Sequence, residues 1–158
     1  MKVEYINPFE KPVIEASQQV FQMVIGVKPS LKKVYLKKSP YNSDSVAVIV
    51  GLTGTIRGQV IISLSVETAK IIASTMMGGM PIEVFDDMAR SAIAELGNMI
   101  IGNTATILST RGINVEITPP SLLMGDNIVV SQIKMNTICV PLDLGDSRSV
   151  DIDVSIEE

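Results

Sequence analysis

The spacing of apolar and polar residues changes several times along this chain of 158 residues, and each change marks a predicted element. Apolar residues that recur every three or four positions predict helices at about 8–26, 66–77 and 87–110. Alternating or unbroken apolar stretches predict strands at 34–36, 45–52, 59–65, 115–117, 127–134, 136–144 and 148–156. We therefore expect an α+β fold, in which helices pack on an antiparallel-rich sheet.

Residues that commonly begin and end helices support these bounds. Gly26 and Gly112 follow the first and third predicted helices, and glycine often ends a helix because it tolerates a positive φ. Ser65 precedes the second helix, where a side-chain oxygen stabilises free backbone N–H groups. Asp86 and Asp87 stand at the start of the third helix, whose positive end favours negative charge.

Hairpin turns are expected near the end of the sequence, at Met135-Asn136 and at Gly145-Asp146. In the last predicted strand the residue type alternates, so that its two faces differ in polarity. One face carries Val150, Ile152, Val154 and Ile156, and the other carries Asp151, Asp153 and Ser155.

The third predicted helix has an unusual polar side. With about 100° between successive residues, five polar or small residues share an arc of about 80°. We call this set the polar stripe; it consists of Asp87, Ser91, Glu95, Asn98 and Gly102. The opposite side is apolar and typical of a core-facing helix, with Ala89, Ile93, Leu96, Ile100 and Ile107.

The polar stripe has two interpretations. It is either the solvated side of an amphipathic helix or a docking surface with two reactive groups at its centre. Arg90 is its only basic neighbour, whereas solvated helix faces are usually rich in Lys, Arg and Glu. Gly97 and Gly102 each cost roughly 1 kcal/mol inside a helix relative to Ala, so we expect them to permit close approach of another backbone or a partner.

Composition indicates one domain over residues 1–158 with an aliphatic core. Hydrophobic residues make up 46% of the chain but aromatic residues only 4%, so Ile, Val, Leu and Met must fill the core. The net charge of −4 argues against nucleic-acid binding. A solvated edge strand guarded by lysines explains the early basic cluster better than a nucleic-acid patch does. That cluster is Lys28, Lys32, Lys33, Lys37 and Lys38.

The chain contains no histidine, which excludes Ser-His-Asp and Cys-His nucleophiles and His-containing zinc sites. No Walker loop and no Gly-x-Gly-x-x-Gly motif occurs. Cys139, the only cysteine, lies in an apolar strand and is expected to be a buried, inert thiol. Without a signal peptide or an apolar run of membrane-spanning length, we expect a cytoplasmic protein that does not contact membranes. Any chemistry must therefore use carboxylates, amides and hydroxyls.

A faint internal repeat relates the first and third predicted helices. When residues 12–19 are aligned with 91–98, Ala16 stands opposite Glu95 and Gln19 opposite Asn98. A decayed duplication and a chance match between two amphipathic helices are both open.

The pattern Asp87-x3-Ser91-Ala92-x2-Glu95-x2-Asn98 resembles the signature of the CheC/CheX/FliY phosphatases of bacterial chemotaxis. The resemblance covers most of the chain and is closest to the CheX branch. Its further segments, in the same order, are 76–80 (Met-Met-Gly-Gly-Met), 95–99 (Glu-Leu-Gly-Asn-Met) and 117–120 (Ile-Thr-Pro-Pro). CheC carries two Glu-x2-Asn pairs and this chain carries one, which also favours CheX.

The resemblance implies an enzyme that hydrolyses the aspartyl phosphate of a CheY-like receiver domain. It assigns Asn98 to orient the attacking water and Glu95 to engage a lysine of the receiver. Asp87, Ser91 and Gly102 are docking candidates, although Ser91 is equally explained by solvation and Asp87 by its place at the helix N-terminus. The resemblance implies no intrinsic cofactor, Mg²⁺ supplied by the receiver, and a homodimer whose sheets join edge to edge.

Three rival functions are open. A receiver-binding or flagellar-switch adaptor of the same fold would have lost catalysis, and the presence of both Glu95 and Asn98 argues against it. A structural oligomer would leave the polar stripe merely solvated. A hydrolase based on a carboxylate pair is the weakest rival, because Asp87 and Glu95 lie about 12 Å apart along the helix axis.

Overall fold

The computed structural model describes residues 8–157, and that part of the chain contains three helices and ten strands. The helices are α1 (Glu10–Ile25), α2 (Val66–Met76) and α3 (Asp87–Thr110). The strands are β1 (Ser30–Leu31), β2 (Tyr35–Lys37), β3 (Tyr41–Asn42), β4 (Val46–Gly54), β5 (Gly58–Leu64), β6 (Val115–Ile117), β7 (Ser121–Met124), β8 (Val129–Val130), β9 (Met135–Gly145) and β10 (Arg148–Glu157). The predicted α+β class is confirmed.

The main sheet has the strand order β1-β9-β10-β5-β4-β6, and each neighbouring pair is antiparallel. The short strands β2 and β7 pair with β9 and β4 respectively. β9 and β10 form a hairpin at the predicted turn, where Gly145, Asp146 and Ser147 all have positive φ. The sheet therefore has long central strands and short strands at both edges.

The helices begin where the sequence indicates. Ser65 accepts a hydrogen bond from the backbone N–H of Thr68 at the start of α2. Asp86 accepts one from the N–H of Ala89 and is therefore the residue that caps α3. Gly26 ends α1 with a φ of 71°. Within residues 8–157, no helix is both long and apolar enough to cross a membrane.

The aliphatic core lies between the three helices and one face of the sheet. Its largest fully buried side chains on α3 are Ile93, Leu96, Ile100, Ile101 and Leu108. Ile107, which the sequence places on the core side, is only half-buried. The apolar face predicted for β10 is confirmed, since Val150, Ile152, Val154 and Ile156 all belong to this core.

Several short elements differ from the sequence prediction. β1 and β7 were not predicted, because two to four residues are too few for a reliable alternation pattern. The predicted strand 127–134 is reduced to Val129–Val130, which pairs with β3. A hairpin turn at Met135-Asn136 is therefore wrong, because both residues already belong to β9.

The second face of the sheet is also buried, and its contacts are polar. Asp153 is 0% exposed and forms an ion pair with Lys37, at 2.9 Å between Nζ and Oδ2. Ser155 Oγ lies 2.7 Å from Thr137 Oγ1, and both hydroxyls donate to Oε1 of Gln132. Polar residues of β10 thus face a second small interior, not solvent.

The early lysines are therefore not all solvated. Four of them, Lys28, Lys32, Lys33 and Lys38, are exposed near the sheet edge formed by β1 and β2. Lys37 instead is only 12% exposed in its side chain, and its ammonium also lies 4.6 Å from the centre of the Tyr41 ring. The prediction of a lysine-guarded edge is thus wrong for Lys37, whose charge is required inside the fold to neutralise Asp153.

Cys139 is the neighbour of Asp153 on this second face and is fully buried, as predicted. Burial, together with the nearby Asp153 charge, raises the pKa of its thiol to about 12. The thiolate, which is the reactive form, is therefore scarce at neutral pH.

Gly97 lets α3 approach the sheet closely. A Cβ atom at this position would lie 2.8 Å from Cγ1 of Val48 on β4 and 3.5 Å from Cδ1 of Ile62 on β5. The equivalent atom at Gly102 would meet no other atom within 4 Å. The close approach expected at Gly97 is thus to the protein's own sheet.

We predict that Lys37→Met lowers the free energy of unfolding by about 3–5 kcal/mol, because it leaves Asp153 buried without its counter-ion. Burial already raises the pKa of Asp153 above its usual range, and the Lys37 charge partly opposes this rise. The variant's Asp153 pKa should rise further. A raised pKa in the folded state means that ionising Asp153 costs more free energy in the folded protein than in the unfolded chain. The loss of stability in the variant should therefore grow as the pH increases from 4 to 7.

Urea unfolding at several pH values measures this effect, with Arg57→Met as the matched control. Arg57 and Glu157 form an exposed pair at 3.9 Å, so its removal should change the free energy of unfolding by less than about 1 kcal/mol. Equal losses in the two variants would contradict the role given to the buried pair.

We predict opposite effects of alanine at the two α3 glycines. Gly102→Ala should raise the free energy of unfolding by up to about 1 kcal/mol, because alanine favours the helix and its methyl group meets open space. Gly97→Ala should lower it, because overpacking against the stiff Val48 side chain costs about 1–3 kcal/mol. Thermal unfolding compares the two, and stabilisation by both substitutions would show that the α3–sheet contact tolerates a methyl group.

Candidate functional site

The polar stripe begins at the first turn of α3, where Asp87 has a partner. Arg90 forms an ion pair with the Asp87 carboxylate and also donates a hydrogen bond of 2.6 Å to the carbonyl oxygen of Phe85. The Asp87 side chain is 96% exposed, so solvent screens this pair. Arg90 thus links the first turn of α3 to the loop that precedes it, whereas Asp87 stays largely solvated.

Ser91, Glu95 and Asn98 form the centre of the polar stripe. Ser91 and Glu95 are exposed and Asn98 is half-buried. Within residues 8–157, the side chains of these three residues make no hydrogen bond or ion pair with the rest of the protein. By contrast, the hydroxyl groups further along α3 donate to backbone carbonyls; these belong to Thr104, Thr106, Ser109 and Thr110. The central groups are thus free to contact another molecule.

Glu95 and Asn98 are three positions apart on one helix face, where Cβ atoms are about 5–6 Å from each other. One group offers a negative charge, and the other offers both a hydrogen-bond donor and an acceptor. Their helix is fixed on the sheet by Leu96, Gly97 and Ile100, which are buried between and beside them. The pair therefore projects from a rigid support toward solvent.

Two shallow grooves run beside the polar stripe. One lies toward the end of α2 and is lined by Met77, Asp87, Met88, Ser91 and Ala92. The other lies toward β7 and is lined by Asp87, Arg90, Ser91, Ala94 and Leu122. The sequence analysis did not identify Met88 or Leu122 as surface features, although Met88 lies about 20° from Glu95 around the helix axis. That angle was the available signal for Met88; no sequence pattern indicates Leu122.

Gly102 lies at the far end of the polar stripe and is half-buried. Open space over its Cα leaves room for a partner's backbone, whereas Gly97 faces inward. Of the two glycines that the sequence analysis linked to close approach, only Gly102 lies at the surface of the stripe.

When α1 and α3 are aligned by their buried residues, the alignment is shifted by one residue from the one that the sequence repeat suggests. An offset of 80 matches the buried residues Phe9, Val13, Ala16, Ser17, Val20 and Phe21 with Ala89, Ile93, Leu96, Gly97, Ile100 and Ile101. In this register Glu15 corresponds to Glu95 and Gln18 to Asn98, so the pairing of Ala16 with Glu95 is wrong. The Gln18 amide donates a hydrogen bond of 3.1 Å to the carbonyl oxygen of Pro29, so this group is engaged within the fold.

Carboxylates do not converge around the polar stripe. In the described part of the chain, no group of three or more His, Cys, Asp or Glu residues is arranged to hold a metal ion. Asp87 is paired with Arg90 and lies about 12 Å from Glu95 along the axis. A hard divalent ion requires several oxygen ligands at one point, and this helix face provides one carboxylate near Asn98.

Comparisons with known proteins agree with this architecture. The family model described as chemotaxis phosphatase CheX matches residues 46–143. The CheY-P phosphatase CheX of Thermotoga maritima is 32% identical over 145 residues, which are 92% of this chain and 93% of the relative.

Two solved structures are similar over nearly the whole chain. A chemotaxis protein CheX from Desulfovibrio desulfuricans has a TM-score of 0.85 at 25% identity, covering 96% of this chain and all of its own. The CheX–CheY–BeF3–Mg²⁺ complex from Borrelia burgdorferi has a TM-score of 0.83 at 31% identity, covering 97% of this chain and 99% of its own. Since the family model spans more than half of the residues and these relatives match almost all of them, the chain belongs to the CheX family of chemotaxis phosphatases.

Proposed function

We propose that this protein removes the phosphoryl group from the aspartyl phosphate of a CheY-like receiver domain, with Asn98 and Glu95 as its functional residues. The observation that carries the proposal is a pair of side chains, one helical turn apart on α3, that make no hydrogen bond or ion pair within residues 8–157. The proposal is further supported by the relative from Thermotoga maritima, which is named a CheY-P phosphatase.

Asn98 positions the attacking water. The water oxygen adds to phosphorus, the bond between phosphorus and the receiver's carboxylate oxygen breaks, and inorganic phosphate and a free carboxylate result. An amide suits this step because it accepts from the water and donates to it without changing its own protonation. In-line placement of the nucleophile provides most of the acceleration that phosphoryl transfer needs from a protein.

Glu95 fixes the docked pose by pairing with an ammonium group of the receiver. Its carboxylate is exposed and lies about one turn from Asn98, so both groups enter the receiver's active site together. The charged pair would be desolvated on docking, where charge-assisted hydrogen bonds are strong. Ser91, Asp87 and Gly102 extend the docking surface along the same face.

Mg²⁺ belongs to the receiver in this mechanism. The complex from Borrelia burgdorferi contains Mg²⁺ together with CheY and BeF3, whereas the described part of this chain provides no cluster of metal ligands. The ion supplies positive charge to the oxygens of the phosphoryl group. This chain's residues act beside it, through the amide of Asn98 and the charge of Glu95.

A homodimer is part of the proposal. β7 lies at an edge of the main sheet, beyond β4, and its Leu123 and Met124 side chains are 45% and 46% exposed. An edge strand with exposed apolar side chains and no charged residue lacks the features that usually block pairing with another strand. We propose that a second copy covers this edge.

The adaptor alternative is disfavoured by the same two side chains. A module that only binds receivers requires a docking carboxylate such as Glu95. It does not require an unbonded amide such as Asn98 next to the phosphoryl group of the receiver. Asn98 is half-buried yet makes no hydrogen bond within residues 8–157, an arrangement that a purely structural role does not require.

We predict that Asn98→Ala and Glu95→Ala separate catalysis from docking. Asn98→Ala should lower kcat about 100-fold or more while the affinity for a BeF3-activated receiver stays within about twofold, because it removes a group that acts on water. Glu95→Ala should weaken that affinity and lower kcat/KM together. Phosphate release at varied concentrations of phosphorylated receiver, with calorimetric binding of the activated receiver, measures both effects.

Asn103→Ala is the matched control, because Asn103 is an exposed asparagine on α3 outside the polar stripe. It should retain wild-type turnover and affinity. Near-normal turnover of Asn98→Ala, or the same affinity in the Asn98 and Glu95 variants, would overturn the division of roles.

We predict that the isolated protein binds neither Mg²⁺ nor Mn²⁺ with micromolar affinity, because residues 8–157 contain no group of three or more His, Cys, Asp or Glu side chains that could hold a metal ion. Phosphate release from the phosphorylated receiver should nevertheless stop in EDTA and return with added Mg²⁺. Calorimetry of the protein alone and turnover in chelator test the two halves. A tight ion site on the isolated protein would indicate a metallohydrolase and contradict water positioning by an amide.

A further inference from the structure

The groove between α3 and the end of α2 has an apolar wall next to the polar stripe. Met77 and Ala92 are half-buried there, and the Met88 side chain is 68% exposed. The groove is shallow and open, with a volume of about 410 Å³, and its other wall consists of Asp87 and Ser91. The polar stripe and the apolar groove thus share two residues, Asp87 and Ser91.

The loop between α2 and α3 also carries exposed apolar side chains. Met80 and Val84 in this loop are 63% and 72% exposed. Contiguous exposed apolar side chains on a soluble protein commonly mark an interaction surface. Methionine suits such a surface because its unbranched side chain adapts to the shape of its partner.

The charges around this surface help to decide which kind of molecule binds there: a lipid, a second copy of the chain or a receiver domain. Glu83, Asp86 and Asp87 are exposed beside it, and they repel an anionic lipid headgroup. A second copy of the chain would cover Ser91 and obstruct Asn98. If it docked through its own groove, its Glu83, Asp86 and Asp87 would also meet the same three negative charges on this copy. A receiver domain, by contrast, must cover this helix face to reach Asn98.

An interface of ordinary size between this protein and a receiver would include the groove. Met88 lies about 10 Å before Glu95 and about 15 Å before Asn98 along the axis of α3. A standard interface covers about 800 Å² on each partner, which corresponds to a disc of roughly 16 Å radius. A receiver centred on the Glu95–Asn98 pair therefore extends to Met88.

We infer that this groove, formed by Met77, Met88 and Ala92 beside Asp87 and Ser91, receives an apolar side chain from the surface of the phosphorylated receiver. The inference rests on the proposed function and adds a residue that sets partner affinity. Met88 contacts the receiver outside its phosphorylation site, so it contributes equally to the docked complex and to the transition state. Such a contact changes KM and leaves kcat unaffected.

Met88→Gln tests this inference, because glutamine keeps the length and helix propensity of methionine and removes its apolar end. The matched control is Met23→Gln on α1, where the methionine side chain is 67% exposed and does not line the groove. The receiver used is the CheY-like domain that the wild-type protein binds most tightly in its BeF3-activated form. Loss of a buried methionine contact should raise KM about tenfold for Met88→Gln and change kcat by less than twofold.

Calorimetric binding of the BeF3-activated receiver separates failure of the inference from failure of the proposed function. A tenfold weaker affinity of Met88→Gln, with Met23→Gln unchanged, supports the groove as a receiver subsite. An unchanged KM and affinity for Met88→Gln, or equal losses in both variants, overturns it. A wild-type protein that binds the activated receiver but releases no phosphate overturns the proposed hydrolysis, and the affinity of Met88→Gln still decides the groove.

Discussion

The close packing of α3 on the sheet at Gly97 determines what the protein presents to its surroundings. The helix lies so close to β4 that a Cβ atom at Gly97 would be 2.8 Å from Cγ1 of Val48. Rotation of α3 about its axis would break this contact and expose the buried Leu96 and Ile100. Glu95 and Asn98 are on either side of Gly97 in sequence, and the same rotation that buries Leu96 turns them outward. A docking surface built on a helix can be precise only when the helix is fixed in this way.

Much of this fold is predictable from the sequence, and the parts that are not have a common cause. The bounds of α3 follow from local signals, an Asp86 cap and a core-facing period, which act within a few residues. Asp153 and Ser155 show the opposite case. Their alternation with apolar neighbours is visible, but whether a polar face is solvated or covered depends on residues as distant as Lys37 and Gln132. Two-residue strands such as β1 depend in the same way on a partner far along the chain.

The candidate site shows the same division. Periodicity alone places Ser91, Glu95 and Asn98 on one face, yet it does not distinguish a solvated face from a reactive one; the family resemblance made that distinction. For Gly97 the sequence left open whether another backbone or a partner approaches, because the residue type does not tell which side of a helix needs the space. Met88 was overlooked because one exposed methionine has no meaning until the end of α2 is known to lie beside it.

The amide of Asn98 has a consequence for signalling. Between the acidic and alkaline limits that a cell tolerates, a carboxamide neither gains nor loses a proton, and this chain has no histidine to respond in its place. In the proposed mechanism, the group that positions the water therefore stays the same when the acidity of the cell changes. The step that Asn98 performs is then adjusted by how much of the protein is present and how well it fits the receiver, not by protonation of the side chain that performs it.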